Sequence, residues 1–449
     1  MKNLFKKEIK IKPITVFFML SISGIFISFV ISLTTYAGPV DWFDMGGVAS
    51  RRFMDFFGHF GLSSKKQELY QYAVGTQGIF PPINYAFYYP LYIISGGSAG
   101  LIPDEVLATT NFELIMNYVD YYMPVASMTF MYYCVGVSMI LFCAIRNIGK
   151  KNEAVSVLLF LTLMFSAEFL WGAMQRGNAA MIVVVLLLVA LHWKDSEKRW
   201  KKEGALLLIA LCASMKLYPA IFGLLFLKEK RWKEALRLTL YGLFLFFVPF
   251  AFFGGVEAIK LWFSYAAEAG NILRIGRINY IGGVVDTLAL YLSRGAITTG
   301  LGVITKIISV CYLVLMLLLA LFSKSRYRTL FFLCCGMIFF PVNANRYTLA
   351  YLSLPLILYI KEAPDDRPWV IMFLYGLLFS MPELYGMMGK WTLEGIIFFG
   401  STAMDEYLYF IAYLLGLSVT IREIVFLARI KRYKSNRPLN KVIQVESLI

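Results

Sequence analysis

The sequence predicts an all-α polytopic membrane protein, and three observations carry that reading. The 449 residues are 59% hydrophobic and only 16% charged, with a mean hydropathy of +0.67; an ordinary soluble domain carries about 25% charged residues. Apolar stretches recur from near residue 14 to near residue 429, with no long polar block between them. The basic residues fall in short segments between those stretches. Together these exclude a soluble enzyme, a single-span receptor and a membrane anchor carrying a large head.

A spanning helix needs roughly 20 mostly apolar residues. Candidates, in order, are 14–36, 121–145, 154–171, 177–193, 204–227, 238–256, 299–323, 329–344, 347–360, 368–389 and 406–428. This predicts a bundle of about 11–13 transmembrane helices. The first, Ile14 to Tyr36, has no charge and no small-residue cleavage site, so it reads as a retained span rather than a signal peptide. The stretch 79–102 is apolar but interrupted by Pro81, Pro82, Pro90 and several glycines, and reads as a segment that does not cross. The stretch 204–227 carries Lys216 and Pro219 at its middle and reads as two short helices joined by a turn.

Seven basic segments, 1–13, 146–153, 194–203, 228–237, 324–328, 361–367 and 429–441, hold 29 of the 43 Lys and Arg residues. By the positive-inside rule all seven are expected to be cytoplasmic. The chain is then expected to form one integral domain over 1–428 in a plasma or inner membrane, with both termini cytoplasmic and the active site extracytoplasmic. A long first extracytoplasmic loop at 37–118 carries juxtamembrane helices, a second large outer loop lies at 255–298, and 429–449 is a flexible basic cytoplasmic tail. The net charge of +15 reports this topology rather than a nucleic-acid partner. The six cysteines all lie in apolar stretches, which argues against a disulfide framework. Two histidines are too few for a His-rich metal site, so no metal or other cofactor is expected, and no residue set indicates a divalent cation.

Ionisable groups at apolar edges are the informative ones, because a charge in hydrocarbon costs several kcal/mol and is retained for a reason. After the first span come Asp41, Asp44, Arg51, Arg52 and Asp55; in a helix, 44, 48, 51 and 55 share a face. The alternative for this stretch is a plain amphipathic juxtamembrane helix. A Pro-aromatic run, Phe80 to Tyr85 and then Tyr88 to Leu91, predicts a rigid extended entry with tyrosines at the interface. Glu168 and Gln175-Arg176-Gly177-Asn178 form a polar turn between two spans. Lys216, followed by Tyr218 and Pro219, either meets a lipid phosphate or snorkels to headgroups. Arg274 and Arg277 lie in the second outer loop, and Asn343, Asn345, Arg346 and Tyr347 at a span boundary. Carboxylates beside Arg and Lys on one face suit chemistry that needs a base and a phosphate clamp. No P-loop, Rossmann glycine pattern, HExxH or Gly-x-Ser-x-Gly is present.

The order of these groups resembles the GT-C class of integral membrane glycosyltransferases, most closely the bacterial mannosyltransferase-like branch. Three motifs carry the resemblance: the acidic loop leading to Phe80-Pro81-Pro82-Ile83-Asn84-Tyr85; the turn Arg176-Gly177-Asn178 opening a span; and Lys216-Leu217-Tyr218-Pro219 before Arg231-Trp232-Lys233. Phe80 stands where the family usually has Tyr, and Asn178 follows Gly177 where many members have Gln then Asn. The resemblance implies inverting transfer of a mannose-like hexose from a polyprenyl-phosphate donor to a hydroxyl of a glycan or glycolipid acceptor, on the extracytoplasmic face. A first-loop aspartate (Asp55, Asp44 or Asp41) would be the general base. Lys216, Arg176, Arg274, Arg51 and Arg52 would bind the donor phosphate, and Tyr85, Glu168, Asn178, Tyr218, Asn345 and Arg346 the substrates. Two other readings stay open: a polysaccharide polymerase or ligase depending on outer-loop arginines, and a lipid-linked-sugar transporter. The second would show paired broken helices, whereas the sequence makes only 204–227 evident as broken.

Overall fold

The computed structural model describes residues 12–35, 54–73, 78–94, 112–149, 152–174, 177–271, 278–293, 301–342, 345–362, 368–380 and 403–435. No strand occurs among them. The main helices in chain order are α1 (Pro13–Thr35), α2 (Met54–Ser63), α3 (Pro82–Ile94), α4 (Phe112–Asn147), α5 (Glu153–Met164), α6 (Ala180–Trp193), α7 (Arg199–Met215) and α8 (Trp232–Phe247). They continue with α9 (Gly255–Asn271), α10 (Ile281–Leu292), α11 (Leu301–Phe322), α12 (Arg326–Phe339), α13 (Ser353–Glu362), α14 (Trp369–Leu378) and α15 (Ala403–Ser435). Among the described residues, four helical stretches are long and apolar enough to cross a membrane: Pro13–Val30, Trp232–Ala251, Gly302–Phe322 and Tyr407–Arg429. Shorter apolar helices, among them α5, α6, α10 and α14, complete an all-α polytopic bundle.

Hydrophobic patterning explains which helices sit inside. Between Ala180 and Leu191, α6 carries no polar side chain, and a helix apolar all round belongs in a core. Val183, Val184, Leu187, Leu188 and Ala190 are indeed fully shielded, as are Phe332, Leu333, Cys334 and Ile338 of α12 in the same core. By contrast α8 exposes Leu236, Leu240, Leu243, Phe244 and Phe247, and α11 exposes Val303, Ile304, Ile307, Val310 and Val314. Apolar faces of that extent are what a bilayer covers.

Helices α6 and α7 form an antiparallel pair that spans the molecule between two polar ends. Several basic segments meet at one end. Arg231 reaches Asp195 at 3.1 Å, Arg326 donates to the Leu191 carbonyl at 2.8 Å, and Arg328 pairs with Glu423 of α15. Lys228 caps the end of α11 by donating to the carbonyls of Ala320 (2.7 Å) and Ser323 (2.6 Å), where helix carbonyls lack partners and favour a cation.

At the other end three segments leave regular α-helix. Residues Glu168–Met174 form a π-helix, the chain breaks at Lys216 into a 3-10 helix at Tyr218–Gly223, and Arg346–Leu352 is a second 3-10 helix. The expected turn within 204–227 is present, but it is not the single break the sequence makes evident. Irregular backbone at membrane depth is tolerated where protein covers it, and Leu349, Ala350 and Tyr351 are fully buried.

Three further differences concern the polar segments. The Pro-aromatic run is not an extended entry: Pro82 opens α3 and Pro90 lies inside it. Proline is favourable at a first helical position, which leaves only the strain at Tyr89-Pro90 to be carried by packing. At 13 residues α3 is about 20 Å long, short of the roughly 30 Å hydrocarbon core. The stretch read as a second outer loop contains α9 and α10, and α15 runs on to Ser435, into the segment read as a flexible tail. Helix α9 is pinned to the first polar segment: Trp262 Nε1 donates to Ile79 O (3.0 Å), Tyr265 to Tyr70 O (3.2 Å), and Tyr70 to Phe80 O (2.7 Å). Gly254, at φ +102°, makes the approach possible, since a Cβ there would stand 2.6 Å from Gln67 O.

Candidate functional site

Asp55, Asn178 and Lys216 are far apart in sequence and meet at the irregular end of the bundle. Asp55 sits in the first turn of α2, where a carboxylate is favoured by the exposed N–H groups of a helix start. It is 6% exposed. Asn178 Nδ2 donates to Asp55 Oδ2 at 2.5 Å, and Lys216 Nζ donates to Asn178 Oδ1 at 2.9 Å. One amide therefore joins a carboxylate to an ammonium.

Local sequence explains how each is aimed. Gly177 N–H bonds Met174 O and Asn178 N–H bonds Ala173 O, both at 2.9 Å, the pattern that closes a helix through a left-handed residue. Gly177 supplies that residue at φ +64°. The chain turns, and Asn178 Oδ1 also accepts the Ala180 N–H (2.9 Å) in the opening turn of α6. Lys216 follows the last residue of α7 with an extended backbone (φ −143°, ψ 105°), and Pro219 in the next turn prevents continuation of the helix.

Lys216 does not snorkel to the headgroups. It is 4% exposed, and its ammonium lies over the rings of Tyr347 (4.4 Å to the centroid) and Phe80 (5.2 Å). Two aromatic faces and an amide oxygen thus hold a desolvated cation. The other face of Phe80's surroundings is His59, whose ring meets Phe80 edge-on at 4.6 Å and stacks on Tyr88 at 5.4 Å. His59 Nδ1 bonds the Asp55 carbonyl oxygen, one helical turn back. Burial lowers the His59 pKa to about 4, so the ring is neutral with its proton on Nδ1.

Glu168 opens the π-helix, beyond the end of α5 at Met164, and is fully buried. Among the described residues neither carboxyl oxygen has a hydrogen-bond partner of good geometry, and burial pushes its pKa up to about 8 despite the nearby Arg346 guanidinium. Asn345 precedes the 3-10 helix that carries Arg346 and Tyr347, its carbonyl accepting both the N–H and the hydroxyl of Thr348 at 2.7 Å. Tyr85 is fully buried with its ring 5.4 Å from His59, and burial raises its phenol pKa. Tyr218 packs edge-on against Tyr351 at 5.7 Å.

The structure thus brings Asp55, Asn178 and Lys216 together, sets Tyr85 against His59, and joins Glu168 electrostatically to Arg346. Asp41, Asp44, Arg51, Arg52, Arg176 and Arg274 lie outside the described residues. His59, Phe80 and Tyr347 carry no site role in the sequence reading. The spacing of His59, four residues after Asp55, was the available signal, since such pairs are neighbours on a helix; nothing local marks Tyr347 as a lid on Lys216. Among the described residues no three His, Cys, Asp or Glu side chains come together to hold a metal ion.

The model of glycosyltransferase family 87 matches residues 108–343, just over half the chain. The match includes the elements carrying Glu168, Asn178 and Lys216, while Asp55 precedes it and Tyr347 follows it. No curated protein and no solved structure matches the chain.

Proposed function

The chain belongs to glycosyltransferase family 87, a GT-C type of membrane glycosyltransferase, and on that premise we propose that it moves a mannose-like hexose from a polyprenyl-phosphate donor to a hydroxyl of a glycan or glycolipid, with Asp55 as general base. The observation that carries this reading is the Asp55–Asn178–Lys216 chain, which sets a proton acceptor beside a buried cation. Family membership selects sugar transfer over transport of a lipid-linked sugar.

In the proposed reaction the acceptor hydroxyl attacks the anomeric carbon from the side opposite the phosphate. The Asp55 carboxylate takes the hydroxyl proton as the new C–O bond forms. The bond from the anomeric carbon to the phosphate oxygen breaks, its electron pair leaves with polyprenyl phosphate, and the configuration inverts. Lys216 stabilises the charge gathering on that phosphate, a task suited to a cation already desolvated and fixed in place. Asn178 positions both groups. Arg346 and Glu168 lie beyond them as groups for sugar hydroxyls or phosphate oxygens. Arg51, Arg52, Arg176 and Arg274 complete the proposed phosphate clamp, with Asp44 and Asp41 the other candidate bases.

An apolar groove supports a lipid-linked donor. It has a volume of about 630 Å³ and runs between α7, the broken helix after it, α8 and α11, with Ala213, Ala220, Gly223 and Gly242 giving it width. Leu217, the residue after Lys216 in sequence, is among its lining residues. With the basic loops cytoplasmic, the site faces outward. Purified protein incubated with a polyprenyl-phosphate sugar should release polyprenyl phosphate when a glycan or glycolipid acceptor is supplied, and far less without one. Asp55→Asn should bind donor and release polyprenyl phosphate about 10²–10⁴-fold more slowly. Full turnover in Asp55→Asn would remove the proposed base.

A further inference from the structure

A second polar cavity lies at the opposite end of the α6–α7 pair, outside the proposed site. Its volume is about 210 Å³, and Leu191, Asp195, Lys201, Arg326 and Leu358 are among the residues that line it. Ile148, His192, Trp193 and Ser196 complete its wall, so the turn after α4, the α6–α7 connection, α12 and α13 all contribute.

The charges of this cavity do not cancel. Asp195, its carboxylate, is already shared by Lys194 (2.9 Å), Arg231 (3.1 Å) and Arg326 (3.5 Å). Lys201 has no carboxylate partner among the described residues; its ammonium lies 5.5 Å from the centroid of the Trp200 ring. Arg326 is anchored by its bond to the Leu191 carbonyl and remains 41% exposed. The cavity therefore presents one fixed guanidinium and one unneutralised ammonium to a space large enough for a phosphate group.

The surroundings place it at headgroup depth. Trp193 and Trp200 meet edge-on at 5.4 Å beside it, and Trp200, Trp232 and Trp369 are exposed at the basic end of the bundle. Tryptophan collects at membrane–water interfaces, and basic pockets between spanning helices hold anionic headgroups. We propose that the Lys201–Arg326 cavity binds the phosphate of an anionic phospholipid headgroup, a lipid site separate from the one proposed for the donor.

The test uses the full chain in detergent, with melting temperature and native mass spectrometry as readouts. Phosphatidylglycerol should stabilise the wild type more than phosphatidylcholine does, and remain bound in the spectrometer. Lys201→Gln should bind phosphatidylglycerol about fivefold more weakly, with an unchanged melting temperature in phosphatidylcholine, and Lys201→Arg should restore binding. Lys233→Gln removes an equal charge from an exposed position at the same end and should change nothing. Equal weakening in Lys201→Gln and Lys233→Gln would mean diffuse attraction and overturn the site. Stabilisation by inorganic phosphate equal to that by the lipid would assign the cavity to free phosphate and overturn the lipid. Should Lys201→Gln melt early in phosphatidylcholine, the comparison passes to Arg326→Gln, which removes the other cation: binding unchanged in that variant overturns the proposal, and weakened binding with an unchanged melting temperature supports it.

Discussion

The two ends of the α6–α7 pair use the same kinds of side chain to opposite effect. At the basic end, Lys201 apart, charge answers charge. Lys194, 3% exposed, binds Asp195 at 2.9 Å and Glu229 at 2.6 Å, while Arg231 reaches Asp195, Glu229 and Glu234. At the other end Lys216 meets an amide oxygen and two aromatic rings, and the carboxyl oxygens of buried Glu168 have no hydrogen-bond partner of good geometry among the described residues. The first arrangement ties loops together. The second gathers buried ionisable groups from distant segments around one amide, and such desolvated clusters are where functional sites are found. Substitutions at the two ends should therefore separate activity from stability.

The largest effect is expected at Asp55. Asp55→Asn keeps the shape but cannot accept a proton, so turnover should fall by about 10²–10⁴-fold with little change in melting temperature. Next is Lys216→Met, which retains the stem and removes the charge. A charge-assisted bond is worth about 1.5–3 kcal/mol, or roughly 10–150-fold in rate or donor affinity. Loss of folding without loss of specific activity in Lys216→Met would turn that residue into a structural cation like Lys194. Conversely, Lys194→Met should lower stability by about 1–3 kcal/mol, measured by denaturation in detergent, and leave turnover per folded molecule intact. Reduced turnover with full stability would break the contrast from the other side.

The smallest effect is a pH dependence. Burial raises the Glu168 pKa from 4.5 to about 8, so the folded state holds a proton that the unfolded state releases in that interval. Its contribution is complete below 4.5 and is lost as pH rises through about 8. His59 acts oppositely: its folded pKa of about 4 lies below the ordinary 6.5, so its contribution is present above 6.5 and lost as pH falls through about 4. Melting temperature against pH should decline on both sides. In Glu168→Gln the alkaline decline should flatten while the acid side stays; an unchanged alkaline limb would mean that Glu168 is ionised in the folded protein.

Composition and the recurrence of apolar stretches determined the membrane class, because no arrangement of 59% hydrophobic residues can give this chain a water-facing surface. The break at Lys216 was legible for the same kind of reason: a lysine and a proline three residues apart cannot sit in a continuous apolar helix. Asp55, Asn178 and Lys216 could each be picked out singly, as polar groups where polarity is expensive. That one amide joins them was decided by tertiary structure, since Asn178 is 123 residues from Asp55 and 38 from Lys216. The roles of Tyr347 and Phe80 were also invisible locally, because an aromatic ring in an apolar chain has no sequence mark until a cation is placed against it; His59 alone carried a signal, its spacing from Asp55. Likewise, the sequence supplied basic loops by count, but which carboxylate neutralises which cation, and which lysine is left over, depended on how the helix ends converge.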